Sequence, residues 1–293
     1  MNEMLMVVGL ALFGAALGSF AAATVWRIRA AQLKADKDAG IDYSKKEYKH
    51  LKTLLGKKPA QDRSQCLYCH KKLAWYELIP IVSWVTQRGK CRGCGAFIGW
   101  FEVIAEVGLA LFFVLSYFLW PTALINPLDI THFVLWLAAG VVMTILFAYD
   151  AKWFLLPDLV LIILIVLGAA VTGVVAVGSS NPMAIIVSAL TSVAILGGLY
   201  GALYLASRGR WVGLGDAILG IGLGLLLVKW ELAFIALFMA NLIGCLIVIP
   251  LMATGKLKRN THIPFGPLLI AGAIVSWFFG SFIIDWYMSY LMF

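Results

Sequence analysis

Long apolar runs, separated by short polar breaks, dominate the chain. Runs near spanning length fall at about 4–26, 103–120, 130–149, 159–178, 183–206, 232–253 and 263–284, and Glu106 is the one charged residue inside them. At about 1.5 Å of rise per residue, each approaches or exceeds the ~30 Å hydrocarbon core of a bilayer. A shorter run, 217–228, brings the number to eight. The pattern predicts an all-α polytopic membrane protein of about eight transmembrane helices. Three parts are expected: a first transmembrane helix (1–26), a basic loop (27–99) and a transmembrane core (100–293).

The flanks of the first run set its orientation. Ala21-Ala22-Ala23 looks cleavable, but Glu3 precedes the run while Arg27 and Arg29 follow it, the reverse of a secretory signal. A retained helix with its N-terminus outside is expected. Threading eight spans from there puts 27–99, 150–158, 207–215 and 254–262 on one side. Those segments hold 22 of the 23 Lys and Arg residues, Lys229 being the exception. By the positive-inside rule that side is cytosolic. The net charge of +8 is then a consequence of topology and favours anionic inner-leaflet lipid; nucleic acid is not called for. A mean hydropathy of +0.93 excludes an ordinary soluble domain.

Two polar stretches stand out in the first loop. Residues 28–62 are Lys-rich and partly helical in pattern, with Leu51, Leu54 and Leu55 as a weak apolar edge, and read as a solvated charged connector. Next come two Cys-x-x-Cys pairs, Cys66/Cys69 and Cys91/Cys94. Each pair can present two thiolates through one tight turn, and two pairs complete a four-cysteine tetrahedral shell. A small cytosolic zinc knuckle is expected, with a structural Zn²⁺ because every ligand position is filled by protein. Cys66-Leu67-Tyr68-Cys69-His70 also fits c-type haem attachment, but on the cytosolic side and with the second pair idle. Disulfides are disfavoured in that compartment. Cys245, alone in a helix, reads as a small packing residue.

The remaining chemistry is carboxylate. Asp216 heads the apolar run of "WVGLGDAILG", where a charge is costly, although a first-turn carboxylate also favours a helix start. Gly213 and Gly215 predict non-helical backbone just before it. Asp150 closes the third long run, where a carboxylate opposes the helix dipole, so its own helix gives no reason to keep it. Asp158, after Pro157, sits in a favourable first turn. Two carboxylates from different helices near one membrane face can share a single proton. In an aspartic protease one such group activates water while the other donates to the scissile carbonyl.

These features resemble the bacterial type IV prepilin peptidases, which are GxGD-type intramembrane aspartic proteases. The resemblance rests on "GSF" at 18–20 with Arg27, "CLYCHKKLAWYELIPIVSWVTQRGKCRGCGAFI", "DAKWFLLPD" at 150–158, "GLGD" at 213–216 and "IPFGP" at 263–267, in family order over nearly the whole chain. It implies that Asp150 and Asp216 are catalytic. The implied substrate is a prepilin or pseudopilin precursor with a short basic leader, cut at the cytosolic face of the bacterial inner membrane. Many members also N-methylate the new N-terminus with S-adenosylmethionine. Leu67, Ala22 and Phe101-Glu102-Val103 stand where the family usually has Pro, Asn and Arg-Tyr-Pro, while Glu106 matches the family's Glu. Glu102 and Glu106, one helical turn apart, could meet a basic leader or be plain interfacial acids. Rival classes are a non-enzymatic docking module, in which the aspartates only cap helices, and a transporter, which predicts acids near the midplane.

Overall fold

The computed structural model describes residues 2–55, 63–256 and 263–291. Eleven α-helices are found among them: α1 (Asn2–Asp38), α2 (Lys45–Leu51), α3 (Val82–Thr86), α4 (Phe101–Phe118), α5 (Pro127–Trp153), α6 (Asp158–Gly178), α7 (Pro182–Val193), α8 (Leu199–Ser207), α9 (Leu214–Leu227), α10 (Trp230–Ala253) and α11 (Gly266–Leu291). A π-helical turn, Ala194–Gly198, fuses α7 to α8. Seven stretches are long and apolar enough to cross a membrane, with α9 as a shorter apolar helix. The protein is therefore polytopic and all-α, with seven of the eight apolar runs long enough to span and the remaining one, α9, shorter. Large apolar side chains such as Leu159 and Phe282 face outward, each 71% exposed, as lipid-facing surfaces require. The chain divides into two compact units, Met1–Tyr117 and Phe118–Phe293.

In the first unit, α1 and α4 approach closely enough to touch by backbone. A Cβ on Gly18 would lie 2.5 Å from the Ala105 carbonyl oxygen, and one on Gly14 2.8 Å from that of Leu109. The Gly14-x-x-x-Gly18 spacing puts both glycines on one face, which is how helices pack in lipid without a hydrophobic drive between them.

The 28–62 segment is helical in part, as its pattern predicts, but it packs a small core of its own, which corrects the reading of a solvated connector. The first helix does not stop at residue 26; α1 runs on to Asp38. The chain then turns back through α2, whose Ser44 accepts from the Glu47 N–H as N-cap. Leu51 joins Ala30 and Leu33 in a buried cluster flanked by Trp26, Tyr43, Tyr48, Leu54, Leu55 and Leu67. Arg29 and Glu47 close it with a 2.7 Å ion pair. The faint leucine edge was the signal; the polar background outweighed it. The remainder of that stretch, 56–62, and most of the loop at 254–262 lie outside the described residues.

In the second unit α9 is the innermost element, with most of its residues buried and α6, α7, α8, α10 and α11 packed around it. A Cβ on Gly220 would fall 2.8 Å from the Gly197 nitrogen, so the π turn and α9 meet backbone to backbone. Cys245 is exposed on α10 and does not serve as the packing residue expected of it.

Candidate active site and metal centre

The two cysteine pairs fold into two copies of one hairpin. The N–H of Cys66 donates to Lys71 O at 3.0 Å and that of His70 to Cys66 O at 3.0 Å; likewise Cys91 N–H donates to Ala96 O at 2.9 Å and Gly95 N–H to Cys91 O at 2.8 Å. Isolated bridges Gln65–Lys72 and Lys90–Phe97 close the loops. In each, the residue four after the first cysteine takes a left-handed conformation, His70 at φ 58° and Gly95 at φ 70°. This common turn points both sulfurs of a pair the same way. The four Sγ atoms lie within 4.8 Å of one another, with Cys66–Cys94 and Cys69–Cys91 both at 3.9 Å. A tetrahedral shell with ~2.3 Å metal–sulfur bonds separates its sulfurs by about 3.8 Å, so the four cysteines fit a metal centre. Burial pushes the Cys66 thiol up to about 12. At Cys91 burial acts the same way but is outweighed by the N–H groups of Cys94 and Gly93, which bring it down to about 7. A bound cation would hold all four as thiolates.

Between the two cysteine pairs in sequence, the turn at Ile81 is strained. Ile81 has φ 62° and ψ −53°, and Val82 N–H donates to Pro80 O at 2.5 Å, a γ-turn that a β-branched residue adopts only when held. The holding group is Glu106. It is 7% exposed, its carboxylate accepts the Ile81 N–H at 2.7 Å, and the Ser19 hydroxyl donates to it as well. Glu102 accepts from Trp26 Nε1 at 3.1 Å, while its other oxygen is buried without a hydrogen-bond partner. Both acids line a cavity of about 170 Å³ together with Trp26, Arg27 and Glu77. Sequence reasoning left Glu106 between two roles; the structure gives it this anchoring one.

The aspartates come together in the second unit. Asp150 lies in the last turn of α5, which continues to Trp153 and ends on Phe154 in a left-handed cap. It is 5% exposed, and its Oδ2 accepts the N–H of Gly266, the first residue of α11, at 3.0 Å. Asp216 is the third residue of α9, and its Oδ2 accepts the Gly213 N–H at 3.2 Å. Only Gly213 is extended, at φ −75° and ψ 151°; Gly215 is already helical, which corrects the expectation of a non-helical stretch. The charges of Asp150 and Asp216 are close enough to interact. Asp158 stays apart from this arrangement, exposed at the start of α6 with Pro157 as its N-cap rather than its first helical residue.

Gly266 is a partner of the candidate site that sequence reasoning missed. A Cβ there would meet Asp150 Oδ2 at 2.7 Å, so glycine lets the carboxylate reach the N–H at a helix start, where partial positive charge favours it. The signal was a Gly-Pro pair opening an apolar run. Nothing in the sequence ties it to Asp150.

Residues 12–120 match the family model described as the bacterial peptidase A24 N-terminal domain. The prepilin leader peptidase/N-methyltransferase of Bacillus subtilis (strain 168) is 30% identical over 238 residues, covering 78% of this chain and 86% of that protein. The chain belongs to this family. Its relatives include the prepilin leader peptidase/N-methyltransferases of Aeromonas salmonicida (strain A449), 28% identical over 240 residues with 78% and 76% of the two chains covered, and of Legionella pneumophila, 29% identical over 239 residues with 78% and 77% covered. No solved structure matches this prepilin peptidase family member.

Proposed function

We propose that this family member is a membrane-embedded aspartic endopeptidase that removes the basic leader from prepilin or pseudopilin precursors, with Asp150 and Asp216 as its catalytic pair. What supports the reading is that α11 packs on both α5 and α9 and begins against Asp150 through the Gly266 N–H, with the charge of Asp216 felt at Asp150. Each has one oxygen engaged by a backbone N–H, Gly266 for Asp150 and Gly213 for Asp216. The fixed oxygen sets the orientation of each carboxyl, which leaves its other oxygen for proton exchange. In the reaction the ionised member takes a proton from water as that water attacks the scissile carbonyl. The protonated member donates to the carbonyl oxygen, giving a diol; as the C–N bond breaks, the proton taken from water passes to the leaving amine and the other carboxylate takes a proton back from the diol.

A second reading has an observation in its favour. Both aspartates accept N–H groups at helix starts, so both could serve only as caps in a docking module. Two independent caps gain nothing by approaching each other, however, since like charges at close range destabilise one another. The substitution that separates the readings is Asp→Asn, because Asn caps a helix start about as well as Asp but cannot exchange the proton. Co-expression with a prepilin precursor, followed by mass spectrometry of its N-terminus, tests the activity. An uncut precursor with wild-type protein would sink the proposal.

The four-cysteine centre is proposed to hold structural Zn²⁺ on Cys66, Cys69, Cys91 and Cys94, which would cross-link the two hairpins and take no part in peptide cleavage. For N-methylation, S-adenosylmethionine would supply the methyl group. The one-sided Lys and Arg distribution supports an inner-membrane location with the paired aspartates at the cytosolic face. A Lys45→Cys variant should resist membrane-impermeant thiol reagents in intact cells and react after permeabilisation; labelling of intact cells would reverse the orientation.

A further inference from the structure

Between Glu77 and Arg88 lie ten residues without a charge, "LIPIVSWVTQ", in a segment that is otherwise basic: from 63 to 99 there are six Lys and Arg residues against the single acid Glu77. The apolar side chains of this stretch are left uncovered. Val82 is 54% and Val85 60% exposed, and three residues apart on α3 they share one helix face. Ile79, Trp75 and Trp100 are exposed beside them. In water this surface would be a liability; at a membrane it has a use.

The contacts of Glu106 fix how deep α3 lies. Helix α4 has 18 residues, about 27 Å, so its whole length is needed to cross a ~30 Å bilayer core and Phe101 sits at the edge. Glu106 is five residues further in, about 8 Å along the axis. A second ruler agrees. A Cβ on Gly18 would fall 2.6 Å from Glu106 Cα, and Gly18 lies nine residues, about 14 Å, inside Arg27 on α1. The Glu106 carboxylate accepts the Ile81 N–H at 2.7 Å. Side chains on a helix lean toward its N-terminus, so Ile81 lies a little shallower than Glu106 and still inside the edge. The rest of α3 is tied to the residues that lead into α4: Trp84 packs on Trp100 with centroids 4.4 Å apart, and its Nε1 donates to Ile98 O at 3.1 Å.

Backbone at that level must find its hydrogen bonds without water. Here Pro80 has no N–H, that of Ile81 goes to Glu106, and those of Val82, Ser83 and Val85 go to Pro80 O, Ile79 O and Ile81 O. We propose that residues 75–86 form an interfacial element dipping into the cytosolic leaflet, with Ile79, Val82 and Val85 against acyl chains, Trp75 and Trp100 at headgroup level, and the knuckle's Lys and Arg residues on anionic headgroups. The partner of this surface is an anionic lipid bilayer, and the knuckle is held on the membrane. The inference rests on the reading of α1 and α4 as spans with Arg27 and Phe101 at the cytosolic face; it makes no use of the aspartate pair.

The test uses the purified full-length protein in vesicles of phosphatidylethanolamine and phosphatidylglycerol, with a dansyl-bearing amino acid in place of Val82, of Val85 or, as control, of Lys45. Lipids brominated at one acyl position quench by contact and so report depth. Emission from either valine position should fall at least about twofold with bromine near the top of the chain and less with bromine near its end, since interfacial helices lie about 5 to 10 Å into the boundary. Emission from the Lys45 position should be quenched by aqueous iodide instead. Lys72→Glu combined with Lys90→Glu, or phosphatidylcholine in place of phosphatidylglycerol, should weaken lipid quenching at the Val85 position. Glu106→Gln, which keeps an oxygen for the Ile81 N–H, should preserve that quenching, and Glu106→Leu should reduce it. Quenching of both valine positions by iodide and not by lipid, in the otherwise wild-type chain, overturns the inference. So does shielding from both quenchers, which would mean that a protein surface covers this face. The readout gives depth from either leaflet, so a reversed orientation in thiol labelling or a failure of peptide cleavage is distinguishable from failure here.

Discussion

In the knuckle, the sulfurs of each pair are brought together by a single hairpin, and the two hairpins repeat the same backbone hydrogen bonds, Cys66 N–H to Lys71 O and Cys91 N–H to Ala96 O. Asp150 and Asp216 are brought together without any such local device. They come from different helices, and Asp150 is fixed by the N–H of a third, at Gly266. The cysteine site is thus built from short-range turns and would be completed by a metal, whereas the aspartate site exists only when α5, α9 and α11 are packed. Changes in the first should be felt as loss of metal and local folding. Changes in the second should be felt as loss of chemistry in a protein that remains folded.

The largest effect expected separates the two sites outright. Asp150→Asn and Asp216→Asn should each reduce leader cleavage by about 10² to 10⁴-fold, and the double variant should be hardly worse than either, because the pair acts as a unit. Both should retain metal, measured by elemental analysis. Strong cleavage by either variant would mean that the carboxylates have been wrongly paired. On the other side, Cys91→Ser should lose the bound zinc and become sensitive to proteolysis within 63–99, since removing a ligand removes folding energy; wild type should carry about one zinc per chain. Finding no zinc and four reactive thiols in wild type would refute the metal centre.

Gly266→Ala probes the long-range character of the aspartate site. A methyl group at 2.7 Å from Asp150 Oδ2 must displace the carboxylate, and a shift near 1 Å costs about a hundredfold in rate. The variant should keep KM and lose kcat; wild-type kcat would show that Asp150 does not depend on this N–H.

Glu77 gives a smaller effect with a definite pH sign. The Ala74 N–H, and after it the Lys71 charge, hold its carboxyl below the ordinary glutamate range. Its contribution is therefore complete above that range and is lost as pH falls through the lowered value of the folded state. Thermal melts should place Glu77→Gln below wild type at pH 7, with the gap closing in acid; a gap that widens in acid would contradict the assignment. The smallest effect belongs to Asp158→Asn, which should cost about 0.3 to 1 kcal/mol of helix-start stabilisation and retain most cleavage.

How far the sequence reaches differs between the sites for a physical reason. The spans were legible because the cost of exposing polar groups to lipid acts on every residue of a run, so the pattern is dense. The cysteine pairs were legible because two ligands three residues apart already specify a turn. At 28–62 the helical pattern was legible but the packing was not: the buried contact of Leu51 with Ala30 and Leu33 comes from α1 running past the apolar boundary and α2 folding back on it, and three leucines among lysines carry little of that. Asp150 was singled out by elimination, since its own helix offers no reason for it. That elimination was incomplete, because the reason lay on another helix.

The sequence by itself therefore determined the all-α membrane architecture, the metal-ligating hairpins and the identity of the two aspartates as acids without an ordinary lipid-facing role. Tertiary structure decided the rest: that α11 begins against Asp150 with a glycine, that Glu106 holds the strained turn at Ile81, and that a π turn meets α9 backbone to backbone. Periodicity and short motifs record interactions between near neighbours, which every turn of a helix repeats. A single N–H or hydroxyl contributed from a distant helix leaves one residue in the sequence and no period, so it can be seen only when the helices are packed.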